Sequence, residues 1–77
     1  VKELGNHGIR SVCLSPGFFE TASTFKVLKK EKIREIVDKI PIKRLGKTKE
    51  ILLTLDFIIK NEYVNGNVLK IDGGINI

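Results

Sequence analysis

The residues best suited to chemistry lie in one short run, Ser15-Pro16-Gly17-Phe18-Phe19-Glu20-Thr21. Gly17 has no side chain to hold a ligand off the backbone, so the amides and carbonyls after it are able to pair with an amide-bearing ring while the Thr21 hydroxyl reaches a polar group. Pro-Gly after a strand is more often a plain turn, and the residues alone favour that reading. Other reactive types are sparse. Cys13 falls in an apolar run and reads as a small core residue rather than a nucleophile. His7 stands among turn residues without a partner nearby in sequence, and Asp72 before Gly73-Gly74 reads as the turn that ends a strand.

Something must deliver that run to a surface. Ile9 to Leu14 is short, mostly apolar and rich in β-branched residues, which predicts a buried strand closed by Pro16, a residue without a backbone donor. Ahead of it, Val-Lys-Glu-Leu followed by Gly5-Asn6-His7-Gly8 reads as the last turn of a helix, because glycine and asparagine tolerate the left-handed conformation that ends helices. The chain opens inside that helix and contains no methionine, so we expect it to be a piece of a longer protein.

From Ser23 to Ile40 the period changes. Ile33, Ile36, Val37 and Ile40 fall on one helical stripe, and Pro41 disfavours helical geometry at Ile40, so a helix should stop there. Ile42 to Lys47 is then a connector with Gly46 as its hinge. Thr48 suits the N-cap of a second helix, Lys49 to Lys60, where Ile51, Leu52, Leu55, Ile58 and Ile59 form a broad stripe that Leu53 and Phe57 widen. Such girth predicts contacts on more than one face. Asn65-Gly66 is a turn dipeptide, and Asn67 to Asp72 reads as a second strand. Strand, helices, strand is a βαβ arrangement whose right-handed crossover makes the strands parallel neighbours, so the fold class is α/β. Two parallel strands cannot be covered on both faces by themselves, and upstream residues are expected to supply the rest of the sheet.

Composition narrows the classes. The 77 residues carry 14 Lys+Arg against 9 Asp+Glu, and 42% are hydrophobic, which excludes a disordered or fibrous chain. One cysteine cannot form an internal disulfide, and one histidine without a cysteine cluster cannot supply a structural zinc site. A reducing, cytoplasmic location fits. No apolar run approaches the roughly 20 residues that span a bilayer, and no membrane role is expected. Ten basic residues between positions 26 and 49 face only Glu31, Glu35 and Asp38. That stretch reads either as a solvated helix face, with Glu35 supporting Lys39 one turn on, or as a landing surface for an acidic partner. Nucleic acid is disfavoured because aromatics are not interleaved with the charges.

The order Lys2-Glu3-Leu4-Gly5, Gly8-Ile9-Arg10, Pro16-Gly17-Phe18-Phe19-Glu20-Thr21, Ile40 through Gly46, Glu50-Ile51, Tyr63-Val64-Asn65-Gly66 and Ile71-Asp72-Gly73-Gly74 resembles the carboxyl-terminal third of classical short-chain dehydrogenases/reductases, most of all their 3-oxoacyl-(acyl-carrier-protein) reductase branch. The resemblance runs from Lys2 to Gly74. It implies the carboxyl-terminal part of a Rossmann-type doubly wound parallel sheet, a cofactor that is NADPH or NADH, and hydride transfer to a 3-oxoacyl thioester or to another ketone such as a sugar. It places Pro16 and Gly17 at the turn after the sixth strand, Phe19 where the backbone holds the nicotinamide carboxamide, and Thr21 where a threonine supports it. It makes residues 22 to 47 a substrate-covering lid, with Phe25, Val27 and Leu28 as candidates to touch an acyl chain. The implied partners are a small-molecule or acyl-carrier-bound substrate, and further copies of the chain meeting through the Lys49–Lys60 helix and the Asn67–Asp72 strand. A non-catalytic oligomerisation or binding module of the same fold is the alternative.

Three positions depart from the family pattern: Val12 stands where asparagine is usual, Thr48 where proline is common, and Phe19 is bulkier than the usual isoleucine or valine and should crowd the pocket. Two motifs lie outside the sequence altogether. No glycine-rich nucleotide motif follows a strand, and the family's tyrosine-x-x-x-lysine pair is not found, since Tyr63 is the one tyrosine and Asn67 stands four residues on. The resemblance puts that pair upstream of Val1, and the 77 residues alone are expected to be inactive.

Overall fold

A computed structural model describes residues 2–76. The elements are α1 (Lys2–Gly5), β1 (Cys13–Pro16), α2 (Ala22–Val27), α3 (Lys30–Lys39), α4 (Thr48–Lys60) and β2 (Val68–Ile71). α1 stops as expected, with the amides of His7 and Ile9 both donating to the carbonyl of Leu4 and Gly8 in left-handed geometry.

The two strands pair in parallel, Cys13 opposite Val68 and Pro16 opposite Ile71, as the βαβ reading requires. The first strand nevertheless lies further along than Ile9 to Leu14. The Asn65-Gly66 turn captures Ser11, whose amide donates to Asn65 Oδ1 and whose carbonyl accepts from Gly66, so the ladder starts only at Cys13. Pro16 ends inside the strand rather than closing it beforehand. The amides of Cys13 and Gly17 donate to Asn67 and Ile71, so residues of that parity face β2 and the Pro16 nitrogen faces the opposite edge, where no donor is called for. Nor is Cys13 a core residue: it is exposed.

The expected continuous helix from Ser23 to Ile40 is broken into α2 and α3. Leu28 and Lys29 are extended, and leaving the helix turns Leu28 inward against the core while Phe25 and Val27 face solvent. α3 keeps its stripe. Ile36 and Ile40 are buried with Leu45, and Leu28, Ile33, Val37 and Ile75 pack around them. Ile40, 2% exposed, ends α3 where Pro41 follows and rests on Gly73, where a Cβ would stand 2.7 Å from Ile40 Cγ2.

α4 begins one residue earlier than expected, with Lys47 at the N-cap and Thr48 as its first residue. Glu50 does the capping that Thr48 was expected to do: its carboxylate accepts from the Lys47 amide at 2.9 Å. Ile51, Thr54 and Ile58 turn toward the protein, while Leu52, Leu53, Phe57 and Ile59 are exposed. The radius of gyration, 15.4 Å, exceeds the roughly 11–12 Å of a close-packed chain this long, and the extents are 49 × 24 × 18 Å.

Candidate functional site at the strand ends

Beyond the carboxyl ends of β1 and β2, where open α/β sheets bind their ligands, lies a cleft of about 400 Å³. Phe18, Phe19, Ile42, Gly46 and the Asp72-Gly73-Gly74 turn form its walls. Of the four residues that the resemblance assigns to the cofactor, Phe19 lines it, and Pro16, Gly17 and Thr21 do not.

Gly17 uses its missing side chain on the protein itself, since a Cβ there would meet the Cβ of Asp72. Asp72 in turn is buried, and its Oδ1 accepts from the Gly74 amide at 2.9 Å, which makes Asp-Gly-Gly the expected strand-ending turn. Thr21 is the N-cap of α2: its Oγ1 accepts from the Thr24 amide at 3.2 Å and lies 3.0 Å from the Thr24 hydroxyl. Of the three lid candidates, Phe25 and Val27 are exposed and Leu28 belongs to the core packing.

Phe19 is the informative position. It forms an isolated parallel bridge with Gly46, in which the Glu20 amide donates to Gly46 O at 2.7 Å and the Gly46 amide donates to Phe18 O at 2.9 Å. Groups alternate in direction along an extended segment, so the N–H and C=O of Phe19 itself point away from Gly46. Neither has a hydrogen-bond partner among the described residues. A free donor and acceptor on one residue match a carboxamide, and the residues present therefore fit the nicotinamide end of a dinucleotide. The bulk of Phe19 goes onto Gly46, with its ring occupying the space a side chain there would need. Gly46 is thus a packing position, where a hinge was expected.

The sequence reading passed over the pair that frames this connector. Arg44 grips Glu50 with two bonds, Nη1 to Oε1 at 2.7 Å and Nη2 to Oε2 at 2.9 Å, and Nη1 also donates to the Leu45 carbonyl. The Arg44 bonds, with the Lys47 amide, hold the Glu50 carboxyl down at about 2, and the same pairing raises Arg44 above its ordinary value. Glu50 standing three residues after the cap position was the available signal. Along the basic stretch, Glu35 pairs with Lys32 at 3.5 Å and not with Lys39, and Asp38 pairs with Lys43. Tyr63 is fully exposed beside the end of α4 and takes no part in the cleft. Among the described residues, no three His, Cys, Asp or Glu side chains group to hold a metal ion, and no helix is long and apolar enough to cross a membrane.

The family profile described as enoyl-(acyl carrier protein) reductase matches residues 2–76. The 3-oxoacyl-[acyl-carrier-protein] reductase FabG of Thermotoga maritima is 42% identical, over 99% of this chain and 31% of that protein. A peroxisomal 2,4-dienoyl-CoA reductase of Saccharomyces cerevisiae is 41% identical, over 95% of this chain and 26% of its own length. Among solved structures, 3-hydroxyacyl-CoA dehydrogenase type-2 from Mycobacterium avium superposes with a TM-score of 0.85 at 32% identity, over 95% of this chain and 28% of that one. The chain therefore spans about a third or less of the relatives it matches.

Proposed function

The chain belongs to the short-chain dehydrogenase/reductase family, whose members are NAD(P)-dependent oxidoreductases, and from that premise we propose that it forms the nicotinamide-side wall of a reductase acting on an acyl thioester. The free N–H and C=O of Phe19 at the strand ends carry this reading. They would hold the carboxamide and so fix which ring face meets the substrate. Thr21, already fixed as the cap of α2, would support the same group with its hydroxyl proton. Bound NAD(P)H would supply the hydride.

The thioester class is supported by two relatives of different activity, one named for a carrier-protein thioester and one for a CoA thioester. Residues 22 to 47 would cover that substrate, with the exposed Phe25 and Val27 free to meet an acyl chain. The lysines at the start of α3, Lys29, Lys30 and Lys32, would receive an acidic carrier. Family members generally form oligomers, and here α4 and β2 would serve as the contact.

The test is binding of NADH and NADPH to the intact protein, followed by loss of reduced-nicotinamide absorbance on adding a 3-oxoacyl thioester. Absence of affinity for both dinucleotides would sink the reading. Charge reversal at Lys29, Lys30 and Lys32 should raise KM for a carrier-bound substrate well above its effect on a small thioester; equal effects would remove the docking role.

A further inference from the structure

We propose that Gly46, held in place by the Arg44–Glu50 pair, is a positioning residue that aims the Phe19 backbone at the nicotinamide; this deepens the reading above and rests on it. The Phe19 loop has no regular element of its own between the end of β1 and the start of α2. Its direction is set by the bridge to Gly46, which turns the Phe18 carbonyl and the Glu20 amide one way and leaves both polar groups of Phe19 facing the other. The bridge needs a residue without a side chain. A Cβ on Gly46 would fall 2.6 Å from Phe19 Cδ2 and 2.9 Å from its Cζ, so ring and bridge coexist only with glycine there.

Gly46 is in turn fixed from both sides. Before it, Arg44 is forked onto Glu50 and Leu45 is buried in the core. After it, the Lys47 amide donates to Glu50 Oε1. Glu50 sits in the first turn of the 13-residue helix α4, so the loop takes its orientation from a helix rather than from its own flexible ends. The bridge also joins residues 18–20 to residue 46, the two ends of the segment proposed to cover the substrate. Movement of that segment would then leave the Phe19 groups in place.

The experiment compares two ligands on the intact protein: whichever dinucleotide the wild type prefers, and the matching ADP-ribose, 2′-phosphorylated if NADPH is preferred, which lacks the nicotinamide ring. Gly46→Ala is expected to weaken the dinucleotide about tenfold, the scale of a lost hydrogen-bonded contact, and to leave ADP-ribose within about twofold. Adding Phe19→Val, which carries no atom beyond Cγ, removes the Cδ2, Cε2 and Cζ atoms that a methyl group would strike and should restore most of the loss. Glu50→Gln should fall between Gly46→Ala and wild type. Undiminished dinucleotide binding in Gly46→Ala overturns the inference and leaves the proposed function standing. So does parallel loss of both ligands that Phe19→Val fails to restore, which marks a folding defect. A wild type that binds neither dinucleotide overturns the function and the inference together.

Discussion

Gly17 stands directly against Asp72: a Cβ on Gly17 would lie 2.7 Å from the Cβ of Asp72 and 2.8 Å from its Cα. The contact sits one step past the last rung of the sheet, where the Gly17 amide donates to the Ile71 carbonyl at 3.0 Å. Any side chain at position 17 must therefore push the two strand ends apart. Gly17→Ala is expected to destabilise the protein by about 1–3 kcal/mol, the cost of overpacking against backbone that cannot yield. Chemical denaturation of the two proteins checks this, and an unchanged midpoint would contradict it.

The Arg44–Glu50 pair gives stability an acid limb. Glu50 titrates at about 2 in the folded protein against 4.5 ordinarily, chiefly because Arg44 bonds to its ionised form. A lowered folded value means the contribution is complete above about pH 4.5 and disappears as pH falls through 2. Melting temperatures of wild type and Glu50→Gln should therefore differ most near neutrality and converge toward pH 2. Added salt should narrow the neutral-pH gap, because both side chains are partly exposed. A gap of constant size across the acid range would rule this out.

Arg10 closes the far end of the same helix. Its guanidinium donates from Nη1 to the carbonyls of Ile58, Asn61 and Val64 at 2.8 to 3.1 Å, and from Nη2 to Ile59. Those carbonyls belong to the end of α4 and the turn after it, where unpaired acceptors and the negative end of the helix dipole coincide. Arg10→Ala should cost about 1–2 kcal/mol, and Arg10→Lys should recover only part, because an ammonium group cannot reach both prongs of the fork. Full rescue by lysine would show that charge alone matters.

These three contacts mark the boundary of what a single sequence reveals. The α3 stripe was legible because Ile33, Ile36 and Ile40 repeat at helical spacing and Pro41 stops the run, all within one local window. The Asn65-Gly66 turn and the parallel pairing were legible for similar reasons: a dipeptide with positive φ at Gly66, and a crossover with one favoured hand. The start of β1 was not, because it depends on which carbonyl Gly66 captures more than fifty residues away. The break at Leu28 follows from a core cluster that α3 builds with Leu45 of the connector and Ile75 after β2. The resemblance singles out Phe19 for its backbone, and the absence of partners for its N–H and C=O among the described residues is visible only once the bridge to Gly46 is in place. Gly46 was misread as a hinge, since only the distant Phe19 ring shows why a side chain is forbidden there.

Lys43 carries strain that its neighbours compensate. It is the one non-glycine residue with positive φ among the described residues, at 65°, and its amide donates to Ile40 O at 2.8 Å while its ammonium group reaches the carbonyl of Asp38. Left-handed geometry costs an ordinary residue roughly 1–2 kcal/mol. Lys43→Gly relieves that strain, loses the contact with Asp38 and loosens the unfolded chain, so its net effect should stay within about 1 kcal/mol. Lys43→Pro cannot adopt the angle and loses the amide, and should cost about 3 kcal/mol or more. Similar melting temperatures for the two variants would contradict the assigned geometry.

The exposed side of α4 is expected to make the folding of these 77 residues depend on association. Leu53, Phe57 and Ile59 stand 66%, 49% and 68% exposed, while among the described residues the buried hydrophobic side chains are Phe19, Ile36, Ile40 and Leu45. Ordering costs of about 1.5 kcal/mol per residue are not met by so small a core, and covering the α4 face with another copy is the nearest source of further apolar burial. Anything that binds the folded form alone raises its melting temperature with concentration. A tenfold rise in concentration is worth about 1.4 kcal/mol to an associating chain, which for this size corresponds to several degrees. Leu53→Lys together with Phe57→Lys should abolish the dependence, since two charges placed one turn apart on each copy would face their counterparts across the contact. A sharp transition at the same temperature over a hundredfold range of concentration would contradict both the marginal core and the role of α4.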